Sequence, residues 1–133
     1  MTENNEAPDI LGTVVEAIHQ RHGYGVRAMD MSEFPLTMDV FVLATADTRI
    51  QTRAVADHLE REMRKLGIKM HHCEGYDEGS WILQDFVDFV VHVFLPETRA
   101  YYSLETLWSD APYEDYRDGE TGAGDEFPVL NQE

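Results

Sequence analysis

Apolar positions recur along this chain in two rhythms, and the changes between them mark out its elements. Asp9 has the short polar side chain of a helix N-cap. After it, Ile10, Leu11, Val14, Val15 and Ile18 follow the three- and four-residue spacing of an amphipathic helix, with Gly23 as its C-cap candidate. Residues 24–31 predict a first strand, with Val26, Ala28 and Met29 as its apolar part, and residues 32–37 with Pro35 break it. Residues 38–45, MDVFVLAT, are almost continuously apolar, as a strand covered on both faces should be. Asp47 or Thr48 then caps a long helix over 49–66. Its stripe is Ile50, Ala54, Val55, Leu59, Met63 and Leu66, and Gly67 ends it. Residues 68–74 predict a third strand and 75–80 a loop.

The stretch 74–94, EGYDEGSWILQDFVDFVVHVF, organises the rest. Two runs rich in Val, Ile, Phe and Trp flank the break Val87-Asp88, which suits an antiparallel hairpin although Val-Asp is a poor turn dipeptide. With the turn there, Asp85 faces Val90, Leu83 faces His92 and Trp81 faces Phe94. Side chains alternate at period two, so Trp81, Asp85 and His92 share one face. Pro96 opens a last helix over 97–108, with Tyr101, Leu104, Leu107 and Trp108 as its apolar side.

The order helix, two strands, helix, strand, two strands, helix predicts an α/β domain: a mixed sheet of about five strands with helices on its faces. A strand–helix–strand unit over 38–74 should cross over right-handed if its strands are parallel. The domain is expected over 9–112, after a flexible N-terminus at 1–8. The segment 113–133, containing DYRDGETGAGDE, is expected to form an acidic, disordered tail because it holds too little apolar surface to offset ordering entropy.

Charge narrows the partners. The chain has 26 acids and ten bases in 133 residues, a net −16. That disfavours direct binding to nucleic-acid backbone and to anionic membranes, and it favours a basic protein partner. No run approaches the length needed to span a bilayer. The opening MTENNEAPD is unlike a targeting segment, and one cysteine, Cys73, forms no internal disulfide, so a cytoplasmic protein is expected. His71, His72 and Cys73 are adjacent, but neighbours in a strand point to opposite faces. A strand with one thiol inward is therefore expected over a metal site.

Tests for chemistry come out weak. There is no G-x-S-x-G, no P-loop and no G-x-G-x-x-G. Gly79-Ser80 followed by Asp85 and Asp88 superficially resembles nucleotidyltransferases, which hold Mg-NTP on paired carboxylates. Here the acids lie three apart across the turn, and no Lys or Arg occurs between Lys69 and Arg99 to hold phosphates. The same residues read as a binding patch, with Trp81 as an anchor and the acids receiving Lys or Arg. They read equally as core, with Trp81 inward, His92 hydrogen-bonded inside and Asp85 capping the turn.

The segments DVFVLATADTRIQTRAVADHLE at 39–60, EG at 74–75 and WILQDFVDFVVHVFLPETRAYYSLETLWSDAP at 81–112 resemble the ribosomal silencing factor (RsfS, Iojap-like) family over about 10–110. Family members commonly carry Gly where Val87 stands and Ser where Asp47-Thr48 stand. The resemblance implies a nucleotidyltransferase-like fold without catalytic residues, no cofactor and no enzyme activity. It implies binding to the large ribosomal subunit through the fourteenth protein of its L series, steric block of small-subunit joining, and lowered translation when nutrients are scarce. It also implies a link to ribosome biogenesis and a homodimer when free. The expected contact is the sheet face and its rim: Trp81, Leu83, Asp85, Asp88 and His92, with Tyr102 nearby.

Overall fold

A computed structural model describes residues 9–36 and 38–117. The elements in chain order are α1 (Ile10–Gln20), β1 (Tyr24–Asp30), β2 (Val40–Thr45), α2 (Arg49–Lys65), β3 (His72–Glu74), β4 (Trp81–Asp85), β5 (Phe89–Phe94), α3 (Pro96–Tyr102), α4 (Leu104–Leu107) and β6 (Tyr113–Tyr116). They form a six-stranded mixed sheet in the order β3-β4-β5-β2-β1-β6. Only the central pair, β2 and β5, is parallel; every other pairing is antiparallel. Strand β3 runs in the direction of β2, but β5 and β4 lie between them.

The predicted class holds, and the sheet gains one strand. That strand, β6, covers residues expected in the tail, so the folded part runs past Pro112 at least to Tyr116. It pairs antiparallel with β1, from Val26↔Tyr116 to Met29↔Tyr113. Its sequence YEDY is too short and acidic to read as a strand alone. Arg27 holds it by a two-pronged ion pair to Asp115 at 2.7 and 3.1 Å, with its guanidinium 3.8 Å from the centroid of the Tyr113 ring. The rest of the expected tail, 118–133, and the expected flexible start, 1–8, lie outside the described residues.

Helix ends follow local chemistry, with one exchange of roles. Asp9 and Thr48 are the N-caps, accepting from the backbone N–H groups of Gly12 and Gln51. Helix α2 ends at the expected glycine, Gly67 at φ +82°. In α1 the left-handed residue is His22, at φ +71°, rather than Gly23. Gly23 is needed for another reason: a Cβ there would lie 2.5 Å from Cγ2 of Ile18.

Two apolar layers flank the sheet. Helices α1 and α2 place Val14, Ile18, Val55, Leu59 and Met63 against Val26, Val42, Ile82, Val91 and Val93. On the opposite face Leu104 and Trp108 meet Met29, Phe41, Leu43, Val90 and Phe94. Strands β2 and β5 are buried throughout, as an unalternating run requires. Two of the predicted stripes change in part on packing. Ile50 is 77% exposed at the first turn of α2. The last helix breaks at Ser103, which sits left-handed at φ 48°, ψ 58° and separates α3 from α4. That break shifts the helical phase: Leu104 and Trp108 turn inward, while Tyr101 and Leu107 are left 80% and 67% exposed.

Candidate functional site

The hairpin forms with the predicted register, Trp81↔Phe94, Leu83↔His92 and Asp85↔Val90. Its turn accommodates a β-branched residue in a glycine-like conformation, since Val87 has φ +81°. Two hydrogen bonds hold it there. The Asp85 carboxylate accepts from the Val87 N–H at 2.8 Å, and the Phe86 carbonyl accepts from the Asp88 N–H at 3.0 Å.

Around Trp81 the core and patch readings merge. The indole is half-buried and packs on the Phe94 and Tyr102 rings, with centroids at 5.1 and 4.8 Å. Its Nε1–H donates to Nδ1 of His92 at 3.1 Å. His92 itself is buried, 4% exposed, and presents no surface to a partner. Burial pushes its pKa down to about 4, so the imidazole is neutral at pH 7. Accepting at Nδ1 places the ring proton on Nε2, which is buried and has no hydrogen-bond partner among the described residues. His92 therefore positions Trp81.

The remaining predicted residues divide by position along the hairpin. Leu83 is half-buried beside Trp81, and Tyr102 is 52% exposed above it. With Glu74 and Gly75, Trp81 and Leu83 line a cleft of about 230 Å³. Asp85 and Asp88 sit at the other end, about 13 Å along the strand from Trp81 at ~3.3 Å per residue. One Asp85 oxygen is engaged by the turn, Asp88 is exposed, and the Asp88 carbonyl accepts from the Asp39 N–H at 2.8 Å. These two carboxylates belong to the turn and do not form a paired site.

The phosphate-binding comparison needs one correction. Cations do approach Gly79-Ser80, because α2 supplies them across the fold: a Cβ on Gly79 would lie 3.0 Å from Cβ of Arg49 and 3.1 Å from Nη1 of Arg53. Arg49 Nε donates to the Glu78 carbonyl at 2.9 Å, and the Thr52 hydroxyl donates to the Gly79 carbonyl at 2.7 Å. Arg49 and Thr52 thereby hold the loop, while Nη1 of Arg53 is buried beside it without a hydrogen-bond partner among the described residues. In β3, Cys73 packs inward while His72 faces out and pairs with Glu74 at 2.8 Å. Burial, then the Glu60 carboxylate, pushes the Cys73 thiol up, away from reactivity.

Two residues, Gly75 and Tyr101, were not among the predicted site residues. Gly75, at φ +80°, lies so close to β4 that a Cβ there would meet the Trp81 carbonyl oxygen at 2.0 Å, so it sets the approach of the loop to Trp81. The exposed rings of Tyr101 and Tyr102 meet edge to face at 4.9 Å beside the indole. The adjacent Tyr-Tyr pair was visible in the sequence; its exposure depends on the break at Ser103.

Comparison with known proteins places this geometry. The family model described as "Ribosomal silencing factor during starvation" matches residues 4–128. The chain belongs to the ribosomal silencing factor family. Its relatives include the ribosomal silencing factors of Halalkalibacterium halodurans and Bacillus subtilis. Each is 36% identical, over 78% and 80% of this chain and 89% and 90% of theirs. A crystal structure of a Chromobacterium violaceum protein superposes with a TM-score of 0.73 at 32% identity, covering 76% of this chain and 84% of that one. Membership in the ribosomal silencing factor family gives the molecule a general role in ribosome silencing. It also accounts for the long hairpin-to-α4 motif, whose residues build the Trp81 environment. Among the described residues no helix is long and apolar enough to cross a membrane.

Proposed function

We propose that this protein binds the large ribosomal subunit through the subunit's fourteenth L-series protein, blocks small-subunit joining by occupying the docking surface, and catalyses nothing. Translation falls under nutrient limitation as a result. The docking surface is the aromatic rim: Trp81, Leu83 and Tyr102, extended by Tyr101, with Asp88 at the hairpin tip. The observation that carries the reading is the half-buried indole. It is fixed by a buried, neutral imidazole and flanked by exposed tyrosines, which is how interface anchors are built. Large exposed apolar groups clustered on one segment of a monomer mark an interaction surface. The acidic surface supports a basic ribosomal protein as partner, with little direct contact to rRNA phosphates.

The test is co-sedimentation with isolated large subunits, with folding checked by circular dichroism. Trp81→Ala is expected to weaken binding by ~2 kcal/mol or more, about thirtyfold. Addition of wild-type protein should lower the yield of joined ribosomes from purified subunits. Unchanged co-sedimentation of a folded Trp81→Ala protein removes the indole from the interface. Unimpaired joining removes the steric mechanism.

A further inference from the structure

We infer that the cleft at the carboxyl ends of β2 and β5 is a site for a small phosphate-bearing ligand, distinct from the aromatic rim. The chains leaving these two parallel strands go to opposite faces of the sheet. Helix α2 packs Val55, Leu59 and Met63 on one face, and the α3–α4 segment packs Leu104 on the other. The carboxyl end of a parallel pair is where open α/β sheets take ligands, and here a crevice opens beside the end of β2 at Thr45, on the α3–α4 side and against β1.

Two contiguous open grooves of about 580 and 510 Å³ form the crevice and share Tyr24, Arg27 and Arg99 in their walls. Each has the volume of a small-molecule site. Thr45 and Ser103 add hydroxyls to the first, and Arg117 lines the second. Three of the ten basic residues of a strongly acidic chain therefore meet at one place.

Both principal guanidiniums are held in fixed orientations, and each keeps donors in reserve. Arg99 donates from Nε to Glu105 at 2.8 Å and from Nη1 to the Gly25 carbonyl at 2.6 Å and the Thr45 hydroxyl at 2.8 Å. Its Nη2 has no partner among the described residues. Arg27 uses Nε and Nη2 on Asp115 and leaves Nη1 without one. The backbone is shaped around this arrangement. The β1–β2 register slips between Tyr24 and Arg27, and Gly25 stands at φ +62°, where a Cβ would lie 3.2 Å from Arg99 Nη1. A half-buried arginine fork with spare N–H groups matches phosphate oxygens in shape and charge. Glu105 and Asp115 offset part of the charge, which suits a compact anion. Overall acidity repels a long polyanion, but it does not prevent a local guanidinium pair from taking two or three phosphate oxygens. The Tyr24 ring in the wall of both grooves provides stacking surface for a base.

The experiment measures binding to the full-length protein by calorimetry and thermal unfolding. The probes are pyrophosphate, ATP and adenosine, with NaCl at matched ionic strength. Pyrophosphate and ATP are expected to bind and to raise the unfolding temperature above the NaCl control, while adenosine does neither. Tighter binding of ATP than of pyrophosphate identifies a nucleotide; equal binding identifies any diphosphate anion. Arg27→Gln should weaken binding at least tenfold. Asp115→Asn breaks the same ion pair but releases the guanidinium, so it should bind as well as wild type or better. No effect beyond NaCl, undiminished binding by Arg27→Gln, or equal loss in both variants overturns the proposal. Arg27→Gln should still co-sediment with large subunits, so this inference and the ribosomal reading fail separately.

Discussion

On one face of the sheet, α1 and α2 press Val14, Ile18, Val55, Leu59 and Met63 onto the strands until none is accessible to solvent. On the other face, the short α3–α4 segment covers Phe41, Leu43 and His92 but leaves Tyr101, Tyr102 and Leu107 outside and Trp81 half covered. The first face has two helices of 11 and 17 residues; the second has helices of seven and four, separated by a left-handed residue. The well-covered face carries stability. The thinly covered face retains apolar surface that a partner can bury, and its rings stay ordered because a buried imidazole and neighbouring aromatics hold them.

The sharpest way to break this comparison is to truncate one residue on each face. Leu59→Ala should destabilise the fold by about 3–4 kcal/mol, whereas Tyr101→Ala should change stability by less than about 0.5 kcal/mol. Chemical denaturation measures both, and similar losses would erase the distinction. Gly75→Ala comes next, since it drives a Cβ into the Trp81 carbonyl at a left-handed position. A loss of about 3 kcal/mol is expected, together with altered tryptophan fluorescence as the loop shifts against β4.

Acid should act through the second face. The unfolded His92 takes a proton near pH 6.5, but the buried folded form resists it until about pH 4. The stability held by the neutral ring is therefore complete above pH 6.5 and is lost as pH falls through that window. Between pH 7 and 5 this amounts to about 2 kcal/mol. His92→Gln should flatten that part of the stability–pH curve, as read by denaturation at several pH values. The smallest effect is at the turn: Val87→Gly relieves the φ +81° strain and should raise stability by about 1 kcal/mol. Unchanged or lower stability would show that the Asp85 and Phe86 hydrogen bonds already offset the strain.

The hairpin register was legible because turn length and period-two alternation are local: placing the turn at Val87-Asp88 fixes every cross-strand pair from Trp81 to Asp85. The unbroken run in β2 and an N-cap at Asp47 or Thr48 were readable for the same reason; the fold chose Thr48. What each side of the candidate site does was not. Placing Trp81 and His92 on one face leaves open which of them meets solvent, and packing decided that the imidazole is interior and the indole is its ordered outer neighbour. Strand β6 depends on Arg27, 88 residues away from Asp115, and the phase of the last helix depends on a conformation of Ser103 that no local preference announces. Periodicity and caps are energies between neighbours in the chain, so the amino-acid order determined the elements and the hairpin. Burial, tautomer and the guanidinium cleft are energies between segments far apart in the chain, and only the folded arrangement of the sheet and its two unequal faces settled them.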